Sequence, residues 1–367
     1  MSEWRNTNLG EVLEIKYGKD HKHLATGKIP AYGSGGVMRY VDAALYDDES
    51  ILIPRKGSLN NIIYESKPFW TVDTMFWSKI DKTLAYPKFL FYQLTEIDYM
   101  NLNVGSAVPS LTVPVINAIE ISLPPLEEQK AIASVLSSLD DKIDLLHRQN
   151  TTLERMAETL FRQWFVEEAQ EDWEEKSLSF YGEIICGKTP SKQNHAYFNG
   201  DVPFVKIPDM HGNAFIFETE DSLTELGKNS QSNKTIPALS ICVSCIATVG
   251  LVSLTTKPSQ TNQQINSIIP KHNQYRYFLY LTMKASYELL QAEASGGTAT
   301  LNLNTGNFAK FAIPLPQDSL LVEFNSIVES IFNKIYQNQS QIQTLEKLRD
   351  NLLPKLMSGE VRVDSIQ

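Results

Sequence analysis

Cysteine is scarce in this chain, with three in 367 residues, an odd number that leaves no room for a disulfide framework and suits a reducing compartment. No apolar run approaches the roughly 20 residues needed to cross a bilayer, and the opening Met1-Ser2-Glu3-Trp4-Arg5 is too polar for a secretory signal. A cytoplasmic protein without membrane contact is expected. Positive charge is also short, since 33 basic against 43 acidic side chains leave a net charge of -10. A self-sufficient nucleic-acid binder carries a basic excess, so this chain could bind nucleic acid only through local patches or beside a basic partner. Three signatures of chemistry are missing: a Gly-rich S-adenosylmethionine loop after a strand, an Asn/Asp-Pro-Pro-Tyr tetrad, and the acid cluster of a nuclease or helicase. No catalytic residue and no metal ligand is assigned.

What is present is repetition. With a constant shift of 192, Gly105-Ser106-Ala107 falls on Gly297-Thr298-Ala299, Leu111 on Leu303, Ile121 on Ile313 and Leu153-Glu154-Arg155 on Leu345-Glu346-Lys347. Upstream the shift is 169, placing Trp4 on Trp173, Leu9 on Leu178 and Gly18-Lys19 on Gly187-Lys188, so the second half carries 23 more residues. Matches that keep their order along the chain indicate a duplicated unit, and a duplicated chain suits a target in two halves. Hydrophobic content of 42% is that of a globular protein with two domains of ordinary size.

Each unit ends in a long helix. Pro124-Pro125 precede Leu126-Glu127-Glu128, and Pro314-Leu315-Pro316 precede Gln317-Asp318; proline and acid in the first turn suit a helix start and its dipole. Mostly apolar seam positions then alternate four and three apart: Ile132, Leu136, Leu139, Ile143, Leu146, Asn150, Leu153, Ala157, Leu160 and Trp164, and again Phe324, Val328, Ile331, Ile335, Asn338, Ile342, Leu345, Arg349, Leu352 and Leu356. That period over roughly 35 to 40 residues is a coiled-coil seam about 50 Å long. The excess acid sits mostly on the first helix, where residues 126 to 172 carry 5 basic and 11 acidic side chains. Ten seam positions in each helix contain one asparagine. If the helices run antiparallel with ends matched, paired positions sum to 488, and Asn150 meets Asn338. A parallel pairing would instead set each amide against an aliphatic neighbour, at roughly 1 to 3 kcal/mol for each unsatisfied group.

The globular halves mix short β-rich runs, Ser50-Ile51-Leu52-Ile53 and Ser240-Ile241-Cys242-Val243, with aromatic stretches that read as buried helices, Phe89-Leu90-Phe91-Tyr92 and Tyr277-Phe278-Leu279-Tyr280. A formal Walker A match runs from Gly182 to Gly187-Lys188-Thr189 and supports an alternative, a P-loop NTPase with a coiled-coil arm. Its spacers Glu183, Ile184, Ile185 and Cys186 read as a strand instead, and Pro190 stands where a helix should begin. Cys242-Val243-Ser244-Cys245 lies in an apolar run where residues three apart face opposite ways, which argues for buried strand cysteines over zinc. His21-Lys22-His23 reads as a solvated loop.

Leu123-Pro124-Pro125-Leu126-Glu127-Glu128-Gln129, the helix end Leu160-Phe161-Arg162-Gln163-Trp164-Phe165 and Leu352-Leu353-Pro354-Lys355-Leu356-Met357-Ser358-Gly359 resemble the specificity subunit of a type I restriction-modification system. Pro314-Leu315-Pro316-Gln317-Asp318-Ser319 departs from the first pre-helix signature. The resemblance spans essentially the whole chain and implies an α+β fold: two globular α/β target-recognition domains, 1–125 and 169–316, separated by two long antiparallel coiled-coil helices, 126–168 and 317–358, with an internal pseudo-twofold repeat and a tail, 359–367. It implies a non-catalytic reader of a bipartite asymmetric site on double-stranded DNA, docked to two methyltransferase subunits and to restriction/translocase subunits. S-adenosylmethionine, Mg2+ and ATP would belong to those partners, with no cofactor in this chain.

Candidate DNA contacts are loops that join small residues to donors. In the first half these are Tyr32, Gly33, Ser34, Gly35, Gly36 and Arg39, then Arg55, Lys56 and Ser58, because bidentate arginine to guanine is the commonest specific contact. In the second half they are Lys188, Thr189, Lys206, Thr248, and the amides Asn262, Gln263 and Gln264, which suit adenine. The alternatives stay open: an ordinary hairpin with solvated charges, or a side-chain ladder of amides. The equivalent loops around Ser106 and Thr298 fit a shared structural or backbone-contacting duty. Helix pairing is expected through Leu139, Ile143, Leu146, Asn150 and Leu153 against Ile331, Ile335, Asn338, Ile342 and Leu345.

Overall fold

Two short antiparallel ladders close the two globular halves in the same way. Arg5–Asn8 pairs with Glu120–Leu123 in the first, and Glu175–Ser177 with Ala312–Pro314 in the second. The computed structural model describes residues 4–295 and 301–363, so Thr298 lies outside the described residues. The chain forms two compact units, one of residues 1–143 with 345–367, the other of residues 144–344.

In the first unit, a four-stranded antiparallel sheet runs in the order Leu13–Tyr17, Met75–Ile80, Ser50–Pro54, Ile63–Glu65, beside a three-stranded sheet of Gly36–Val41, Thr26–Gly33 and Trp70–Thr71. The second unit repeats the plan. Gly182–Cys186, Ile265–Pro270, Ile241–Ser244, Val252–Thr255 and Phe215–Ile216 form one sheet, and Asp221–Leu223, Phe198–Val205 and Gln260–Thr261 the other. Strands such as Ser50–Pro54 and Ile241–Ser244 are buried along their whole length, which is why they read as continuous apolar runs without alternation. Much of the extra length of the second half lies between Phe198–Val205 and Ile241–Ser244, where Ile207–Met210, Phe215–Ile216 and Glu225–Asn229 are inserted.

The long helices are Leu126–Arg162, 37 residues, and Asp318–Met357, 40 residues. The first ends in a π-helical turn, Gln163–Glu167, short of the expected 168. Gln129 explains the start signature of the first helix: its side chain is buried, accepts from the Tyr86 amide at 2.7 Å, and donates to the carbonyls of Pro124 at 2.8 Å and Leu84 at 3.2 Å. The second half has Leu321 at the equivalent position, fully buried, so an apolar plug replaces the polar staple and the signature changes with it.

Each unit holds the beginning of one helix and the end of the other. In the first, Ile132 and Leu136 share a core with Leu356, Met357, Phe89, Leu90 and Tyr99, and Leu352 packs against it. At the turn after Met357, Gly359 rests near Trp4. In the second, Phe165 lies 4.9 Å from Phe278, 4.8 Å from Phe324 and 6.1 Å from Trp173 between ring centroids. Aromatic pairs of this kind add about 0.5–1.5 kcal/mol each beyond their buried area. The second unit contains the asparagine layer: Asn338 Nδ2 donates to Asn150 Oδ1 at 2.9 Å, and Trp164 meets Phe324 at 5.7 Å, both pairs summing to 488. Within this unit the segments therefore run antiparallel in the end-matched register. The same sum brings Ile132 and Leu356 into one core in the first unit, where Arg349 Nη1 also donates to Asp140 Oδ1 at 2.9 Å. Of the other seam residues, Ile143, Leu146, Ile331, Ile335 and Ile342 are buried, and Leu139, Leu153 and Leu345 are half-buried.

Candidate nucleic-acid interface

The loops at one pole of each unit are fixed by backbone hydrogen bonds, and the two units use the same set. The Gly18 amide donates to the Met75 carbonyl at 3.1 Å, as Gly187 does to Ile265 at 3.0 Å; Lys19 donates to Thr71 at 2.8 Å, as Lys188 does to Thr261 at 2.9 Å. Arg55 donates to Thr74 at 2.8 Å, as Cys245 does to Gln264 at 2.7 Å. Gly57 donates to Pro109 at 3.0 Å, as Ala247 does to Leu301 at 3.0 Å. Finally Leu111 donates to Arg55 at 2.9 Å and Leu303 to Cys245 at 2.8 Å, while Val72 reaches Tyr32 at 2.9 Å and Asn262 reaches Val205 at 3.1 Å. The frame therefore aligns Arg55-Lys56-Gly57-Ser58 with Cys245-Ile246-Ala247-Thr248.

Two backbone features hold this frame. A Cβ on Gly18 would sit 2.0 Å from the Val72 carbonyl oxygen, and one on Gly187 2.1 Å from that of Asn262, so only glycine lets the segments meet. Gly57 has φ +92°, and Ala247 keeps the left-handed φ of +65° although it carries a Cβ. Non-glycine residues pay for that conformation, so the turn's shape is held by its surroundings.

In the first unit the frame brings Tyr32, Ser34, Arg55, Lys56 and Gly57 together. Ser34 and Gly35 form the turn between Thr26–Gly33 and Gly36–Val41, and a Cβ on Gly57 would lie 2.9 Å from Ser34 Oγ. The Arg55 guanidinium stands 5.4 Å from the Tyr17 ring centroid and donates to the Asp73 carbonyl at 3.2 Å; Lys56 is exposed. Ser58 is exposed just beyond the turn. Two expected contacts have internal work. Tyr32 is half-buried and donates from Oη to Glu65 at 2.6 Å, with burial and that carboxylate raising its hydroxyl well above the usual range. Arg39 donates to the Leu24 carbonyl at 3.1 Å, tying its strand to the preceding loop.

In the second unit Lys188 and Gln263 are exposed, and Thr189 Oγ1 donates to Gln263 Oε1 at 2.8 Å. Thr248 is exposed at the place of Ser58. Asn262 is 7% exposed and donates to Gln264 Oε1 at 2.9 Å, while its own Oδ1 accepts from the Gln264 amide at 3.1 Å. The Asn262 side chain is thus engaged by the Gln264 side chain and its backbone N–H. Lys206, at the place of Gly33, pairs with Asp221. Lys19, Tyr17 and Asp73 belong to the pole although their sequence context gave little sign of it; the match of Gly18-Lys19 with Gly187-Lys188 was the available clue.

The structure removes the phosphate-loop reading. Gly182–Cys186 is a strand paired antiparallel with Ile265–Pro270, and no helix opens at Gly187. Cys242 and Cys245 are buried on different cores, and burial pushes their thiols up to about 12 and about 11. No group of three or more His, Cys, Asp or Glu side chains among the described residues could hold a metal ion.

A duplicated frame that keeps its backbone and changes its side chains is matched by sequence comparison. The model of the type I restriction modification DNA specificity domain matches residues 1–155 and again residues 170–347. The chain belongs to this family. Within the type I specificity family, the HindI specificity subunit of Haemophilus influenzae is 38% identical over 358 residues, covering 76% of this chain and 78% of that one. The MjaIX specificity subunit of Methanocaldococcus jannaschii is 27% identical, covering 88% and 80%. The crystal structure of a type I S subunit from M. genitalium superposes with a TM-score of 0.68 at 16% identity, covering 97% of this chain and 96% of that one, and shares the fold. No helix among the described residues is long and apolar enough to cross a membrane.

Proposed function

We propose that this chain is the DNA-reading, non-catalytic subunit of a type I restriction-modification complex, each globular half reading one part of a bipartite, asymmetric duplex site. The observation that carries the reading is the common frame with exchanged side chains: Arg55 and Lys56 in the first half, Cys245 and Ile246 in the second. A shared frame would present both halves to the groove alike, while Arg55 and Lys56 in the first half and Thr189, Thr248 and Gln263 in the second, where Cys245 is buried and Ile246 apolar, would select different bases. Arg55, Lys56, Ser58, Thr189, Thr248 and Gln263 are the base-facing candidates.

Two methyltransferase subunits would dock on the helices and supply S-adenosylmethionine chemistry; translocating restriction subunits would bring Mg2+ and ATP. The net charge of -10 supports this division, because an acidic chain gains tight duplex binding from a partner that supplies phosphate contacts. Such a complex works in the cytoplasm, where the chromosome lies. The test is a map of methylated adenines in the source genome with and without this chain. One bipartite sequence should lose methylation on deletion; an unchanged map would refute the reading.

A further inference from the structure

Among the described residues, the two poles differ in most of the side chains they present, yet they share an exposed lysine. Gly18-Lys19 and Gly187-Lys188 occupy matching positions, each lysine amide bound to the carbonyl of a matching threonine, Thr71 or Thr261, at 2.8 and 2.9 Å. Both side chains are exposed, and neither ammonium has an ion-pair partner among the described residues. Lys206, the other basic candidate of the second pole, is paired with Asp221. The glycine before each lysine lets the segment sit against the opposite backbone with no space for a Cβ, so each lysine stem starts from a fixed point. By contrast, the positions across the frame change character completely: Arg55 to Cys245, Lys56 to Ile246, Asp73 to Gln263.

A residue that reads a base must differ when the base differs. One that grips the sugar-phosphate backbone need not, because every half-site offers the same phosphate. We propose that Lys19 and Lys188 are an equivalent pair of phosphate contacts that set each half on the duplex in the same register, and that Arg55 discriminates a guanine in the first half-site. This rests on the DNA-reading assignment above and deepens it by dividing the pole into a constant grip and a variable reader. Arg55 is suited to the second role, since Tyr17 and the Asp73 carbonyl hold its guanidinium in place and a held fork loses little freedom on bidentate pairing.

The experiment uses the full chain assembled with its methyltransferase subunits, scored for the sequence methylated and for duplex affinity across a salt series. Lys19→Gln and Lys188→Gln should each lower affinity about five- to tenfold near 0.1 M salt and flatten the logarithmic salt slope by about one, with the methylated sequence unchanged. Arg55→Lys should keep the slope but relax one position of the first half-site, by about ten- to a hundredfold in discrimination. Arg55→Gln should relax the same position and also lose slope. A lysine variant that changes the methylated sequence, or leaves the slope intact, overturns the phosphate grip. Arg55→Lys with discrimination unaltered, or altered in the second half-site, overturns the reader. If the unaltered complex methylates no sequence in a manner dependent on this chain, the DNA-reading assignment falls too; variants that disappoint beside an active unaltered complex refute the division alone.

Discussion

Replacing Asn150, Asn338 or both by leucine isolates the energy of the polar layer between the long helices. Asn338 is fully buried and Asn150 7% exposed; the pair share one hydrogen bond of 2.9 Å, Gln149 Oε1 lies at a long 3.4 Å from the same Nδ2, and Asn338 Oδ1 has no partner among the described residues. A single replacement leaves the other amide buried without its partner, which costs about 1–3 kcal/mol. The new leucine recovers part of that, so a net loss of about 1–2 kcal/mol is expected. The double replacement removes both amides and the orphaned oxygen, and an apolar layer between Leu146 and Leu153 should be neutral or more stable than the natural pair. The coupling energy, the double-variant effect less the two single effects, should then be about 2 kcal/mol or more in magnitude. Urea unfolding followed by far-ultraviolet circular dichroism reads it directly. With a slope near 3 kcal/mol/M, each single variant should lower the midpoint by about 0.3–0.7 M and the double variant should restore it. Single effects that simply add in the double variant would refute the reasoning.

Three more outcomes follow from the geometry. Arg349→Met should destabilise by about 1 kcal/mol, because Asp140, also bound by Tyr92 at 2.6 Å, keeps only that partner at a site that is partly solvated; a thermal melt that matches the unaltered chain would contradict it. Burial holds the hydroxyls of Tyr99, Tyr181 and Tyr280 above their ordinary value of 10.0. The unfolded chain therefore releases those protons first, so their contribution is complete below pH 10 and lost as pH rises through the raised folded values. Part of the tyrosinate absorbance should appear only together with loss of helix above pH 10, and complete tyrosine ionisation with the helix intact would speak against it. Cys242 and Cys245, buried with raised thiols, should react with an alkylating reagent only on unfolding, whereas half-buried Cys186 should react first; equal rates at all three would show that the buried pair is accessible.

The long helices were legible because a 3.5-residue period needs only local information, and the asparagine arithmetic worked because matched ends left one register in which both amides find a partner. The candidate recognition pole was less legible. Its parts come from distant segments joined by backbone hydrogen bonds, such as the Arg55 amide to the Thr74 carbonyl, and no side-chain pattern announces a backbone bond. Asn262 and Gln264 have the amides an adenine reader needs, yet they close on each other. Lys206 carries a charge that Asp221 already neutralises. Tyr32 sits beside a glycine turn, but its hydroxyl anchors to Glu65, 33 residues away. The sharing of each unit between two helices was hinted at only by the cyclic order of the repeat, in which the motif closing the second helix supplies Leu356 and Met357 to the first core.

Whether each half reads its own part of the target is decided by a domain exchange. Residues 1–125 would be replaced by the corresponding segment of another type I specificity subunit, and the sequence methylated by the assembled complex determined. One half of the bipartite site should change to that of the donor while the other half stays as it was. A change in both halves together, or in neither, would contradict it.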